Sequence, residues 1–369
     1  MNNRGAHDSA RPIATTSHGA GNGGEIDGDW RDRRCVVAGG LGGVGSLFVQ
    51  LLLGTGARVS VVDPLCSANG AGAQGALYYR GDVATPGPAV REQLRAADIV
   101  VLAIPEPAAV ASLATLTSTM RPGALLADTL SVKTPYLQAL GRTAQALEIL
   151  SLNPMFAPSL DMATRPVAVV SAACGPLSEA LVGLLARQGA RVVPLGADEH
   201  DRLMSAAQAL THAAVLSFGI ALAQLGVELD ALQRIAPPPH ATMLALLARM
   251  CSSVPQTYWD IQAENPFAPA ARRALAEACQ ELSRMVGDQA DAAPSEGFVG
   301  LFEQIGAWFG DDVPEWAQRC AATFQAMGQP MPAARPCPAE APTRRPARRQ
   351  PRQSPHDLQI RTLTPREDR

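Results

Sequence analysis

One lysine, Lys133, stands in 369 residues; every other long basic side chain is an arginine. Codon bias toward arginine and alanine accounts for the imbalance, and a lysine that survives it is a candidate for a specific task. Paired cysteines are missing too. The seven cysteines, at 35, 66, 174, 251, 279, 320 and 337, form no Cys-x-x-Cys pair and are odd in number. That pattern argues against a zinc site or disulfide framework and for a reduced, cytoplasmic protein. A formal net charge of −3 lacks the basic excess of a nucleic-acid binder. No apolar run reads as the roughly 18 residues of a membrane-spanning helix. The polar, glycine-rich opening MNNRGAHDSARPIATTSHGAGNGG has no signal-peptide core. No internal repeat is visible.

What is present reads as a globular chain of two domains, 47% apolar and 18% charged. Residues 1–30 and the Pro/Arg/Ala-rich stretch 329–369 cannot bury a core and are expected to be disordered tails. Between residues 31 and 195, the β-branched runs RCVVAGG, ARVSVVD, DIVVLAIP, GALLADTLS, RPVAVVSA and ARVVPLG alternate with helical stretches, the pattern of a parallel sheet. Over 196–328 the strand signal stops. HDRLMSAAQALTHAAVLSFGIALAQLG, HATMLALLARMCSS and ARRALAEACQELSRMVG have helical spacing and are apolar most of the way round. Such helices bury more than one face, in a bundle or a dimer interface. The expected fold is an α/β Rossmann-type nucleotide-binding domain followed by an all-α dimerisation domain.

The segment from Arg34 to Asp63 carries Gly40-Leu41-Gly42-Gly43-Val44-Gly45 between an apolar strand and a helix, and its second strand ends on Asp63, 18 residues after Gly45. In that setting Gly-x-Gly-x-x-Gly is a dinucleotide fingerprint. Gly40 is expected to permit the tight turn. Gly42 lets a pyrophosphate approach a helix N-terminus, and Gly45 lets helix and strand pack closely. Asp63 would accept from ribose hydroxyls and repel a 2′-phosphate, which favours NAD over NADP. Pro105, in VVLAIPEPA, is expected to fix the chain near the nicotinamide ribose.

Three further segments stand out. ADTLSVKTP (127–135) places Ser131 and Lys133 past a strand end, where open α/β sheets bind ligands. SLNPMFAPSL (151–160) follows another short strand, and EHDRLMSAAQALTH (199–212) opens the helical region. With ARM, PQTYWDI and AWFGD further on, the order and spacing of these motifs resemble the prephenate dehydrogenase family from the glycine motif to about residue 312. The resemblance implies an NAD-dependent oxidative decarboxylation of a cyclohexadienyl dicarboxylate, in which hydride leaves ring C4, CO2 leaves C1 and the ring becomes aromatic. It also implies a homodimer built by the helical domain, with the active site between the domains. No chorismate mutase segment is expected in the short polar stretch before the sheet.

One position departs from the pattern. Where the family reads histidine-Pro-Met-Phe, this chain has Asn153. By the resemblance that histidine accepts the proton of the substrate's 4-hydroxyl. An amide cannot act as a base near neutral pH, although it can accept or donate a hydrogen bond. Three readings are open. The substrate carries an amine at C4 (4-amino-4-deoxyprephenate), whose nitrogen lone pair expels hydride without loss of an O–H proton; prephenate is still used, with another base; or the protein binds ligand without catalysis. The first is preferred and makes the product 4-aminophenylpyruvate, a precursor of the 4-aminophenylalanine type for secondary metabolism. Asn153 could also simply cap a turn before proline.

The resemblance gives further assignments. Arg249 would grip a substrate carboxylate as a guanidinium fork, the plain alternative being a surface arginine. A second family arginine is replaced by Ala241, and His240 beside it could compensate. Ser131 would hydrogen-bond the C4 substituent or Asn153, or cap a helix. Lys133 would contact cofactor or a carboxylate, or tie loops together. His212 would lie near substrate, or be a satisfied core histidine. Glu199-His200-Asp201 reads as capping and inter-domain hydrogen bonding, not as a metal site, because neighbours at a helix start point in different directions.

Overall fold

A computed structural model describes residues 30–67, 69–71, 75–141, 146–287 and 296–327. The two expected tails lie outside the described residues, apart from Trp30, which is buried against the sheet. Strands β1 (Arg34–Ala38), β2 (Arg58–Asp63), β3 (Gly70–Ala71), β4 (Leu77–Arg80), β5 (Ile99–Leu102), β6 (Leu125–Asp128), β7 (Glu148–Pro154), β8 (Pro166–Ala173) and β9 (Arg191–Pro194) form one sheet. Its order is β3-β4-β2-β1-β5-β6-β7-β8-β9. All six strand runs read from the sequence are present.

The sheet is parallel in most of its pairings, with two exceptions. β3 with β4 and β7 with β8 pair antiparallel. Residues 155–165 between β7 and β8 hold no helix, and without a crossover a strand must return antiparallel. The other pairings are parallel, so β1, β5, β6 and β7 all end at one edge. Register sets Ala38 beside Leu102, Leu102 beside Asp128, and Asp128 beside Ser151.

Alternation along the strands serves both faces. Val37, Val61 and Val101 point to one, covered by α1 (Gly43–Gly54); Val36, Val62 and Val100 point to the other. That second face is covered by α2 (Pro88–Ala96), α3 (Glu106–Thr119) and α4 (Thr134–Leu140). Helix α5 (Pro176–Arg187) packs on the first face through Leu181, Leu184 and Leu185. Each such buried aliphatic side chain is worth about 1.5–3 kcal/mol. These two layers make the core of the chain.

After β9 the chain is helical. It runs through α6 (Ala197–Met204), a π-helical stretch Ser205–Leu210, α7 (Thr211–Leu225), α8 (Leu229–Ile235), α9 (Pro238–Cys251), α10 (Pro255–Ala263), α11 (Ala268–Val286), α12 (Glu296–Phe309) and α13 (Val313–Met327). The side-chain amide of Gln262 donates to the Ala209 carbonyl at 2.8 Å, satisfying an acceptor inside the π-helical stretch. Ala197–Leu225 is continuously helical over 29 residues and apolar enough to cross a membrane by length and composition. This corrects the reading that no such run exists. The polar residues of α6 interrupt the apolar text, but α6 and α7 join into one rod. Little of the helical region is buried within one chain: Ile220, Leu225, Ile235, Phe302 and Trp308 are exposed.

Candidate active site

The glycine loop makes a tight turn with no room for side chains at Gly39, Gly40 and Gly45. The left-handed turn residue is Gly39 (φ 78°), not Gly40. A side chain at Gly39 would strike the Ala103 carbonyl, and one at Gly40 would strike Val61. A Cβ at Gly45 would collide with the Gly39 carbonyl, so the loop closes onto α1 only without one. Gly45→Ala is expected to cost about 1–3 kcal/mol from overpacking and to weaken dinucleotide binding, measured by unfolding midpoint and by titration. Asp63, buried at the end of β2, accepts from the Leu41 N–H at 3.2 Å and the Leu65 N–H at 2.9 Å. Its carboxylate therefore stands beside the loop.

A cleft of about 300 Å³ joins this loop to the helical region. Gly42, Gly43 and Val44 border it on one side, Pro105 and Ser131 at the strand ends, and Asp260 of α10 opposite. The helices α3 and α10 at its rim each carry proline in the first turn, which fixes where they start. The SLNPMFAPSL segment approaches from β7: a Cβ at Gly43 would lie 3.2 Å from the Pro158 ring.

Beneath the cleft lies a polar network that couples sheet to helices. Asn153 is buried on β7, and its Nδ2 stands 3.1 Å from His200 Nε2. His200 is fully enclosed on α6, with its Nδ1 2.8 Å from Asp201 Oδ1. Asp201 also accepts from the backbone N–H groups of Lys133 and Thr134, both at 2.8 Å. Burial pushes the Asp201 carboxyl up, but the hydrogen bonds from His200, Thr134 and Lys133 outweigh it and hold Asp201 below its ordinary value. Burial, opposed by the Asp201 bond, lowers His200 and keeps it neutral. An ionised Asp201 demands the proton on Nδ1, so Nε2 is an acceptor and must face the Asn153 amide nitrogen. The amide oxygen of Asn153 is left pointing away. It takes no hydrogen bond from the described residues, and it is not among the sealed, unpartnered polar atoms.

Lys133 belongs to the same network. Its Nζ is fully buried and donates to Asp128 Oδ1 at 2.9 Å and to the Leu152 carbonyl at 2.8 Å. It ties the ends of β6 and β7 together beside Asn153 and does not line the cleft. Asn265 donates to the Asp201 carbonyl at 2.8 Å, closing the network from the α10–α11 side.

The remaining assigned residues sit further out. His212 packs edge-on against Tyr258 of α10 at 4.9 Å, with its Nδ1 enclosed and unpartnered. Burial, then the Arg249 charge, lowers it. His240 packs against Phe218 at 5.6 Å, and Arg249 is exposed on α9. None of these three lines the cleft beside Ser131. The sequence reading named neither His200 nor Asp201 as site residues, although the Glu-His-Asp triplet was visible; it also passed over Glu106, a carboxylate set between two prolines at a strand end.

Residues 196–304 match the family model described as prephenate dehydrogenase, dimerization domain. A 4-amino-4-deoxyprephenate dehydrogenase of Streptomyces pristinaespiralis is 47% identical over 294 residues, 80% of this chain and 97% of that protein. The chain belongs to the prephenate dehydrogenase family. It is an oxidoreductase of that family. A T-protein of Enterobacter agglomerans is 29% identical over 76% of this chain and 68% of its own length. Among solved structures, prephenate dehydrogenase from Aquifex aeolicus in complex with hydroxyphenyl propionate and NAD+ shares the fold. Its TM-score is 0.53 at 16% identity, covering 74% of this chain and 96% of that one.

Proposed function

We propose that this family member is an NAD-dependent dehydrogenase that converts 4-amino-4-deoxyprephenate to 4-aminophenylpyruvate and CO2. The reading is carried by the hydrogen bond between Asn153 and His200. The network presents an amide oxygen, an acceptor that is not a base, where the family resemblance expects an imidazole. An acceptor suits the N–H groups of a C4 amine and orients its lone pair for expulsion of hydride. A hydroxyl substrate would need its proton removed, and Asn153 cannot take it. The 47% identity with a protein of the same named activity supports the reading.

The other roles follow. Gly42 to Gly45 and the N-terminus of α1 would hold the pyrophosphate of NAD, and Asp63 its adenosine ribose. When bound, the nicotinamide supplies the hydride acceptor. Ser131, in the cleft, would hydrogen-bond the C4 substituent. Arg249, His212 and His240 would meet the substrate carboxylates from the helical side, after the helices close or through a second copy. A homodimer would cover Ile220, Leu225 and Trp308, which one chain leaves exposed, and this accounts for the apolar Ala197–Leu225 rod without a membrane. The six free cysteines among the described residues agree with a cytoplasmic protein.

Product analysis tests the function: one NADH, one CO2 and one 4-aminophenylpyruvate per substrate consumed. CO2 without NADH, or no turnover, would contradict it. A variant tests the carrying contact. His200→Phe keeps a planar ring but removes the acceptor, so the Asn153 amide is free to turn. The preference for amine over hydroxyl substrate is expected to fall roughly tenfold, the worth of one lost orienting hydrogen bond of about 1.4 kcal/mol. His200→Gln, which keeps an acceptor oxygen, should retain most of it. Equal preference in wild type and His200→Phe would show that His200 does not orient Asn153.

A further inference from the structure

Glu106 is the first residue of α3, next to Pro105, and it lines the cleft that Gly42–Val44 and Ser131 share. It is 5% exposed, and both carboxyl oxygens are enclosed without a hydrogen-bond partner among the described residues. Leaving a buried carboxyl unbonded costs free energy. A glutamate in the first turn of a helix ordinarily repays its position by bonding the free N–H groups there, and Glu106 does not. Its environment is acidic. Asp260 of α10 lines the same cleft and Glu264 follows at the end of that helix; Asp128 of β6 adds to them, and Lys133, held behind Asp128, opposes them. No Lys, Arg or His is among the described residues lining the cleft. Burial first, then Glu264 and Asp260, pushes the Glu106 carboxyl up to about 8.

Such a cleft repels carboxylates, so the dicarboxylate end of the substrate belongs elsewhere. It suits a group that brings positive charge. The glycine loop would hold a dinucleotide's pyrophosphate at the border of the cleft, and its nicotinamide would then reach inward toward Ser131. We propose that Glu106 is a cofactor-binding residue that faces the oxidised nicotinamide ring as a carboxylate and carries a proton when the ring is neutral. The inference rests on the reading of the cofactor as NAD. Proton balance is simple. The Glu106 O–H gives its proton to solvent when the positively charged ring binds. The carboxylate takes one back once hydride transfer has cancelled that charge.

Binding of NAD+ and NADH to the full chain, by titration calorimetry in two buffers of different ionisation heat, tests this without turnover. Ionisation of Glu106 favours only the charged ring. Affinity for NAD+ should therefore rise roughly tenfold from about pH 6 to about pH 8, if the ring holds Glu106 about 1.5 units lower than in the free protein. Binding of NAD+ should release a proton, and NADH affinity should be flat. Glu106→Gln should bind NAD+ as weakly as wild type does at the acid end, at every pH; Glu106→Asp should recover the pH dependence. A pH rise that survives Glu106→Gln, or that NADH shares, overturns the proposal. So does a rise seen only when an amine substrate is present, which would assign the cation to the substrate. Failure of wild type to bind NAD+ at any pH would instead remove the cofactor reading itself. Matching thermal midpoints of wild type and Glu106→Gln would confirm that the variant is folded.

Discussion

Asn153→His is expected to reverse the choice of substrate. Activity on prephenate should rise by about 10²–10⁴-fold, the usual worth of a positioned general base; activity on the amino analogue should fall by roughly tenfold, the worth of an acceptor hydrogen bond. The structure says why an imidazole would work at this position. Ionised Asp201 keeps the proton of His200 on Nδ1, so His200 Nε2 remains an acceptor. An imidazole at 153 must then donate to it, as the Asn153 amide does now. Its second nitrogen would carry the lone pair on the side of the ring away from His200. On the proposed function the network would offer either an amide oxygen or a basic nitrogen to C4, and the residue at 153 would select between them. Steady-state kinetics on both substrates check this. Unchanged rates for both would show that Asn153 does not touch the reacting end.

Lys133→Met is expected to cost about 3–5 kcal/mol, because removing one member of a buried ion pair leaves the other charged and unpaired. The Asp128 carboxyl is enclosed, its Oδ2 has no partner, and its Oδ1 relies on Lys133 Nζ and the Leu130 N–H. The Leu152 carbonyl, next to Asn153, would also lose its donor. A loss of that size is a large share of the roughly 5–15 kcal/mol that stabilises a domain. A denaturant midpoint measures it. Asp128→Asn with Lys133→Met should recover part of the loss, since a neutral amide tolerates the site better than an orphaned carboxylate. A Lys133→Met protein as stable as wild type would mean that the pair is not held in the buried geometry described.

These two positions show what was legible in the chain. The strand runs could be read because alternating burial on two sheet faces forces β-branched residues into the text, as at Val36 and Val37. Asn153 was visible because it breaks a motif. Lys133 was visible as the lone lysine, but its partners were not: Asp128 is five residues away and Leu152 nineteen, and only the pairing of β6 with β7 brings them together. His200 was hidden for the same reason. It reaches Asn153 across 47 residues of chain, and a histidine beside an aspartate at a helix start reads as capping. Gly39 was passed over in favour of Gly40 because both fit a glycine-rich pattern, and only the left-handed φ separates them. Glu106 gave no periodic signal at all. A single acid at a strand end becomes informative only when its two oxygens are found enclosed and unbonded.

The most direct test of the account is the ratio of kcat/KM for 4-amino-4-deoxyprephenate to that for prephenate, measured as NADH formation by the purified wild-type chain at matched concentrations. The account predicts a ratio of at least roughly tenfold in favour of the amine, the worth of an oriented acceptor at C4 and no base for a hydroxyl. A ratio in favour of prephenate would contradict it. A base other than Asn153 would then be serving the 4-hydroxyl, and the amide held by His200 would not be the group that selects the substrate.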